Sequence, residues 1–393
     1  MSFAIIGNGF VGKYLVKRLL ESGKNVWVII RPSQNLSAPE RGVEIFGDYL
    51  ENFPNTLRII EGDITIENLG IDKSCLQELY KRDVIFWHLA ANLSFAIKDK
   101  DLVTKTNLNG TINSVNLANK IAKKYIHLST AYVCGNTTKM FREEDLEVGQ
   151  KFRNYYESSK FEAEKYVRSD CVVPYLVFRP SIIMGDAYEG KAEGCTFGYY
   201  RFAYIFFIFK NWLIDRMANG SSITKKILSM SGTSYDMKSD LITIPWLVIP
   251  YTTHGTVDMV SIDYVLDSML KGVDNINVQK LTIHLTNPNP PAFKWAASCL
   301  VQDLGYRKVK YFKVAPVFLV ILLKTLYHVF YPLKIKTRSA MWYLPYITRN
   351  YFFSHKNSKA FEIPEQKLIG RDFLEKINTY AKKEIFKKIV YDK

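Results

Sequence analysis

The stretch FAIIGNGFVGKYLVKRLLESG, residues 3–23, decides the fold of this chain. Residues 3–6 are a short apolar run, GNGFVG follows at once, and YLVKRLLESG repeats its apolar residues with a helical period up to a stop at Gly23. That order reads as strand, glycine turn and helix. Gly7, Gly9 and Gly12 make a GxGxxG pattern. The first glycine permits a tight turn, the second lets the backbone approach a pyrophosphate, and the third lets helix and strand pack closely, while the helix N-terminus receives the anion. The same pattern arises by chance in plain βα turns. Its place after a strand, before a helix and at the N-terminus points instead to a dinucleotide.

Working outward, VWVII at 26–30 reads as a second buried strand, and apolar runs recur at 57–60, 84–89, 125–129 and 175–178. Helical patterns lie between them, notably around 76–81 and 104–123. Alternating strands and helices of that length form βαβ units, so residues 1–185 are expected to be a doubly wound, parallel-sheet Rossmann domain of the α/β class. After Gly185 the rhythm breaks. Residues 186–290 are expected to form a smaller, mostly helical substrate lobe whose late strand, LTIHLTN at 281–287, returns to the parent sheet. Residues 291–393 read as a helical C-terminal extension, ending in a helix pattern at 373–391.

Composition bounds the function. With 393 residues, 48 % hydrophobic and 23 % charged, the chain is neither fibrous nor disordered. Five scattered cysteines and six unclustered histidines have no metal-ligand spacing, so neither a disulfide scaffold nor a metal site is expected, and a reducing cytoplasm is the simpler home. His88 and His127 read as packing or supporting residues. No secretory leader or membrane span is predicted. The formal charge of +15 suits polyanions, among them a phosphate-rich cofactor, an acidic carrier protein or an anionic bilayer. Nucleic acid has only the charge in its favour. The aromatic stretch at 199–213, which contains FAYIFFIF at 202–209, suits an acyl tunnel, a core helix or a membrane-facing surface. The stretch at 317–331 suits a buried or interfacial helix.

Two further patterns carry chemistry. At the end of the second strand stands Arg31, where an NAD-preferring site has an acidic residue; arginine matches a 2′-phosphate, or is an ordinary surface cation. Asp63, after the third strand, can accept from an adenine amino group or cap a helix starting near Thr65 or Glu67. Tyr156 and Lys160 lie one helical turn apart and share a face. Facing a nicotinamide, the ammonium lowers the phenol pKa and the tyrosine donates a proton to a carbonyl oxygen; facing solvent, they are two surface residues. Upstream, a hydroxyl of Thr130 or Ser129 stands at a strand's C-terminal end, where open α/β sheets place ligands.

Taken together, GNGFVG, GDIT and NLG at 62–70, HLAA at 88–91, TNLNGT at 106–111, STAYVCG at 129–135, the Tyr156/Lys160 pair and FRPSIIMG at 178–185 resemble the extended short-chain dehydrogenase/reductases. The branch resembled is the male-sterility-type NAD(P)-binding domain of fatty acyl-CoA reductases, carboxylic acid reductases and thioester reductase domains, over residues 2–287. The resemblance implies Thr130, Tyr156 and Lys160 as catalytic residues. Around the cofactor it implies Gly7, Asn8, Gly9, Phe10, Val11, Gly12, Arg31, Asp63, Ile64, Leu89, Ala90, Asn107, Lys160, Pro180 and Ser181, with Asn107 supporting the lysine. Two departures stand out. GNGFVG is one residue shorter between its first two glycines than the branch's usual GATGFLG, so Asn8 spans a tighter turn, and the C-terminal portion matches only loosely.

The expected function is NADPH-dependent reduction of a long-chain acyl thioester, on coenzyme A or a carrier protein, to an aldehyde and further to an alcohol if a second hydride follows. Peripheral membrane contact is compatible with it. The same three residues serve a ketone or hydroxy dehydrogenase acting on sterol- or polyketide-like substrates equally well. A non-catalytic dinucleotide-binding protein would need no proton donor.

Overall fold

The first strand is buried along its whole length, as are the fourth and sixth, which is what a parallel sheet covered on both faces requires. The computed structural model describes residues 1–274, 279–315, 342–347 and 349–389. These fall into two compact units. The first is built from Met1–Ser181, Ile262–Pro288 and Phe352–Gln366, the second from Ile182–Ser261, Asn289–Tyr351 and Lys367–Lys393.

The first unit is a seven-stranded parallel sheet. Its strands are β1 (Ser2–Ile6), β2 (Asn25–Ile30), β3 (Leu57–Glu61), β4 (Val84–His88), β5 (Ala122–Leu128), β6 (Tyr175–Pro180) and the late strand Lys280–Leu285. Across the sheet the order is Lys280–Leu285, β6, β5, β4, β1, β2, β3. β1 therefore lies between β2 and β4, at the point where the winding reverses, and the strand C-termini open there onto the crevice where such sheets bind ligands. The late strand pairs with β6 from Lys280↔Tyr175 to Leu285↔Pro180, so the expected return to the parent sheet occurs.

Helices cover both faces. α1 (Phe10–Glu21) buries Leu15, Val16, Leu19 and Leu20, each worth about 1.5–3 kcal/mol of transfer free energy. α2 (Ala38–Asn52) starts at Ser37, whose hydroxyl accepts from the Glu40 amide while the Glu40 carboxylate accepts from the Ser37 amide, with Pro39 in the first turn. α3 (Lys73–Tyr80) is capped by Asp72. The helical pattern at 104–123 resolves into a short helix, a π-turn at Lys105–Asn109 and the helix Gly110–Ile121.

In the second unit the long helix Tyr199–Asn219 buries Tyr199, Tyr200, Ala203, Tyr204, Ile208, Phe209 and Leu213, which makes the aromatic stretch a core helix of that unit. Its partly buried Phe202 lines a small apolar crevice with Val257, Phe293, Ala296, Ala297 and Leu300. No helix among the described residues is long and apolar enough to cross a membrane. The 317–331 stretch lies outside the described residues. The terminal pattern appears as the helix Arg371–Tyr380 followed by a π-turn at Ala381–Ile385.

Candidate active site

The glycine turn has the shape its sequence demands. Gly7 has φ +111°, and a Cβ there would stand 2.3 Å from the Ala90 amide nitrogen, so a side chain is excluded by conformation and by space. A Cβ on Gly12 would meet the Gly7 carbonyl oxygen at 1.8 Å, and Leu89 lies behind it. Gly9 has nothing within 4 Å of its Cβ position. α1 begins there without a side-chain cap and without an acidic residue in its first turn. A turn closed by Gly7 and Gly12, open at Gly9 and followed by uncapped amides fits a pyrophosphate.

Around the cradle, Ile64 is buried and packs beneath Gly110. Arg31 is exposed and its guanidinium lies 3.8 Å from the Asp63 carboxylate. Asp63 also accepts from the Thr65 amide at 2.8 Å, so it caps the local turn while one carboxylate oxygen faces Arg31. The sequence reading missed Arg41, whose side chain donates from α2 to the Arg31 carbonyl and brings a second guanidinium to the end of β2. At the end of β6, the Ser181 hydroxyl is buried with no hydrogen-bond partner, an orphaned group of the kind a bound ligand satisfies.

The helix Tyr155–Asp170 is fixed at its start by Asn154, whose side chain accepts from the Glu157 amide, while buried Glu157 pairs with Arg153. Tyr156 sits in the first turn against the Phe95 ring, 5.6 Å between centroids. One turn on, Lys160 is buried and its ammonium donates to the Leu128 carbonyl at 2.7 Å, at the C-terminal end of β5. The same ammonium lies 3.4 Å from His127 Nε2. Burial pushes the Lys160 ammonium down to about 8, with Glu164 one turn further on pulling the other way. This lysine is therefore not a solvated surface residue.

The two hydroxyl candidates separate. Ser129 donates to the buried Glu164 carboxylate at 2.7 Å and is committed there. Thr130, next along, accepts from the Tyr132 amide at 3.3 Å, and its own hydrogen has only a long contact, 3.5 Å, to the Pro180 carbonyl. That donor can be redirected. Asn107, in the π-turn, donates to the Ser159 hydroxyl at 2.9 Å and exchanges hydrogen bonds with the Asn92 backbone. It thus anchors the residue before Lys160, and its carbonyl accepts from the Thr111 hydroxyl at 2.6 Å.

Beneath the helix lies a buried ionic cluster that sequence reading did not assemble. Glu164 receives Arg179 at 2.8 Å and Arg168 at 2.7 Å as well as Ser129. Burial alone would raise the Glu164 pKa, but the two guanidiniums outweigh it and hold the carboxyl below its ordinary range. The spacing of Lys160, Glu164 and Arg168 was the available signal.

Residues 7–269 match the model of a family described as Male sterility protein, an NAD-binding domain. Among curated proteins, the chain is 28 % identical over 152 residues to the putative fatty acyl-CoA reductase CG8303 of Drosophila melanogaster, covering 36 % of this chain and 28 % of that protein. It is 27 % identical over 203 residues to the nonribosomal peptide synthetase asaC of Aspergillus flavus, covering 47 % of this chain and 20 % of that one. The chain thus spans less than a third of the length of either relative. Among solved structures, the terminal R domain from the myxalamid PKS-NRPS biosynthetic pathway superposes with a TM-score of 0.69 at 16 % identity, over 96 % of this chain and 89 % of the other, a likeness of fold.

Proposed function

The chain belongs to the male sterility protein family, a branch of the extended short-chain dehydrogenase/reductases, and from that premise we propose that it is an NADPH-dependent reductase of long-chain acyl thioesters. The observation that carries the proposal is the Lys160 ammonium, buried one helical turn from Tyr156 and bound to the Leu128 carbonyl at the end of β5, the strand that leads to Thr130.

In this reading the uncapped start of α1 and the Gly9 opening receive the pyrophosphate, Asp63 meets the adenine, and Arg31 with Arg41 meets the 2′-phosphate. When bound, NADPH supplies the hydride. Tyr156 gives its phenolic proton to the acyl oxygen as negative charge gathers there, and the Thr130 hydroxyl donates to the same oxygen. The Lys160 charge makes the phenol a stronger acid. Donors already fixed by the helix and the strand end stabilise that charge without the reorganisation water would need. The oxygen then gives up that proton as the C–S bond breaks, the sulfur takes up a proton and departs as a thiol, and the acyl carbon, now holding the hydride, is left as an aldehyde.

The deciding experiment is NADPH oxidation measured across acyl-CoA, acyl-carrier-protein and ketone panels. Turnover of ketones without thioesters would overturn the substrate assignment.

Two further results are expected. Reduction requires the ammonium, so kcat/KM should be level below pH 8 and fall as the pH rises through the Lys160 value of about 8. A rate that instead rises through that range would remove Lys160 from the mechanism. Arg31→Glu should raise the KM for NADPH by about 10- to 100-fold, the worth of a charge-assisted phosphate contact, with little change for NADH. An unchanged NADPH to NADH preference would show that Arg31 does not read the 2′-phosphate.

A further inference from the structure

Lys160 stands at the end of a buried polar chain. Its ammonium lies 3.4 Å from His127 Nε2, and His127 Nδ1 lies 3.2 Å from His88 Nδ1. His88 Nδ1 is 2.7 Å from the Tyr125 hydroxyl, which lies 3.1 Å from the Ser114 hydroxyl. His88 and His127 are register partners on β4 and β5, and Tyr125 is two residues before His127 on the same face of its strand. All five residues are buried. A polar chain of this kind in a sheet core is costly unless its members satisfy one another.

We infer that His127 is a positioning residue for Lys160, its Nε2 lone pair holding the ammonium, while His88 and Tyr125 fix the imidazole tautomer that makes this lone pair available. The inference rests on the reading of Lys160 as half of the proton-donating pair.

Proton counting supports it. An ammonium only donates, so His127 accepts at Nε2 and carries its own proton on Nδ1. That proton points at His88 Nδ1, whose lone pair also receives the Tyr125 O–H at 2.7 Å, so His88 carries its proton on Nε2 and the Tyr125 oxygen accepts from the Ser114 hydroxyl. If Lys160 loses one proton, the demand reverses. The amine then accepts from His127 Nε2–H, His127 Nδ1 becomes an acceptor, and His88 Nδ1–H turns toward it or toward the Tyr125 oxygen. One proton leaves, and each imidazole keeps one. Burial holds both rings neutral by pushing their pKa values well below the ordinary histidine range, so the pair answers the lysine charge by exchanging tautomers rather than by charging. The groups that set the Lys160 charge are then His127 from β5, His88 behind it on β4, and Tyr156 and Glu164 on its own helix. Glu164 is itself bound by Arg168 and by Arg179 of β6.

The test has two arms. In the wild-type protein labelled with ¹⁵N-histidine, NMR is expected to show His127 protonated on Nδ1 at pH 7, with the His127 and His88 tautomers reversing as the pH passes about 8. In Lys160→Met that reversal is expected to be absent. Histidine signals that do not change through this range, or that change identically without the lysine, overturn the proposal. In the second arm, His127→Leu should lower kcat by about 10- to 100-fold at little cost in KM and move the alkaline limb to lower pH, since the ammonium loses an acceptor. His127→Gln, with an amide oxygen near the place of Nε2, should restore most of both. A limb that stays in place in the leucine variant, or a glutamine variant no better than leucine, assigns His127 to packing alone. If the wild type turns over no acyl thioester, the substrate reading fails, and the NMR titration still decides the role of the histidine.

Discussion

Replacing Tyr156 with phenylalanine is expected to lower kcat for reduction by about 10²- to 10⁴-fold while leaving NADPH binding and the fold in place. The substitution removes one hydroxyl and keeps the ring that packs against Phe95. The helix start does not depend on the phenol, because Asn154 and Glu157 set it. What is lost, in the mechanism proposed above, is the proton donor that the Lys160 charge would acidify. Thr130 would remain to stabilise the developing oxyanion, but an aliphatic hydroxyl is far too weak an acid to take over the proton transfer. Turnover, fluorescence titration of NADPH and thermal unfolding measured on the same preparation separate these effects. A kcat within threefold of the wild type, with binding unchanged, would take the phenol out of the chemistry and with it the mechanism proposed above.

The parts of the molecule that were legible in the sequence are those where one local pattern answers to one local structure. GNGFVG after an apolar run specifies the first βα turn because no other residue fits at φ +111° against the Ala90 amide. The runs at 26–30, 84–89 and 175–178 are strands because burial on both faces of a parallel sheet leaves few polar positions to interrupt them, whereas the edge run at 57–60 admits the exposed Arg58. Less legible features depend on partners distant in sequence. The π-turn at Lys105–Asn109 inserts a residue into what reads as continuous helical periodicity, and that insertion is what turns Asn107 toward Ser159. α2 passed unread although S-A-P-E at 37–40 is a capping box with proline in the first turn. Neither Ser129 nor Thr130 is distinguishable as a lone hydroxyl; the choice between them is made by Glu164, 35 residues on, which claims Ser129. His88 and His127 read as supporting residues, but what His127 touches follows only from the pairing of β4 with β5.

The same cluster yields the other large effect. Glu164→Gln is expected to destabilise the protein by about 3–5 kcal/mol, because it keeps the shape of the side chain and leaves the Arg179 cation buried without its counter-charge. In the wild type that guanidinium donates to both Glu164 oxygens, to the Arg142 and Asp145 carbonyls, and lies against the Phe141 ring. Removing the carboxylate therefore strands a charge that its other partners cannot neutralise. The pH dependence gives the assignment its sign. The Glu164 carboxyl is held below its ordinary value of 4.5, so the stability it confers is fully present above that pH and is lost as the pH falls through the folded-state value. The gap between wild type and variant in urea unfolding should accordingly be widest near neutrality and close below about pH 4.5. A gap under ~1 kcal/mol, the range of exposed ion pairs, or one that ignores pH, would mean that Arg179 is satisfied without Glu164. Activity should follow as well. Glu164 is the group that opposes the lowering of the Lys160 pKa, so its neutralisation should bring the alkaline limb of reduction to lower pH. A carboxylate that never meets substrate would then set both the stability of the strand end and the charge of the residue working there.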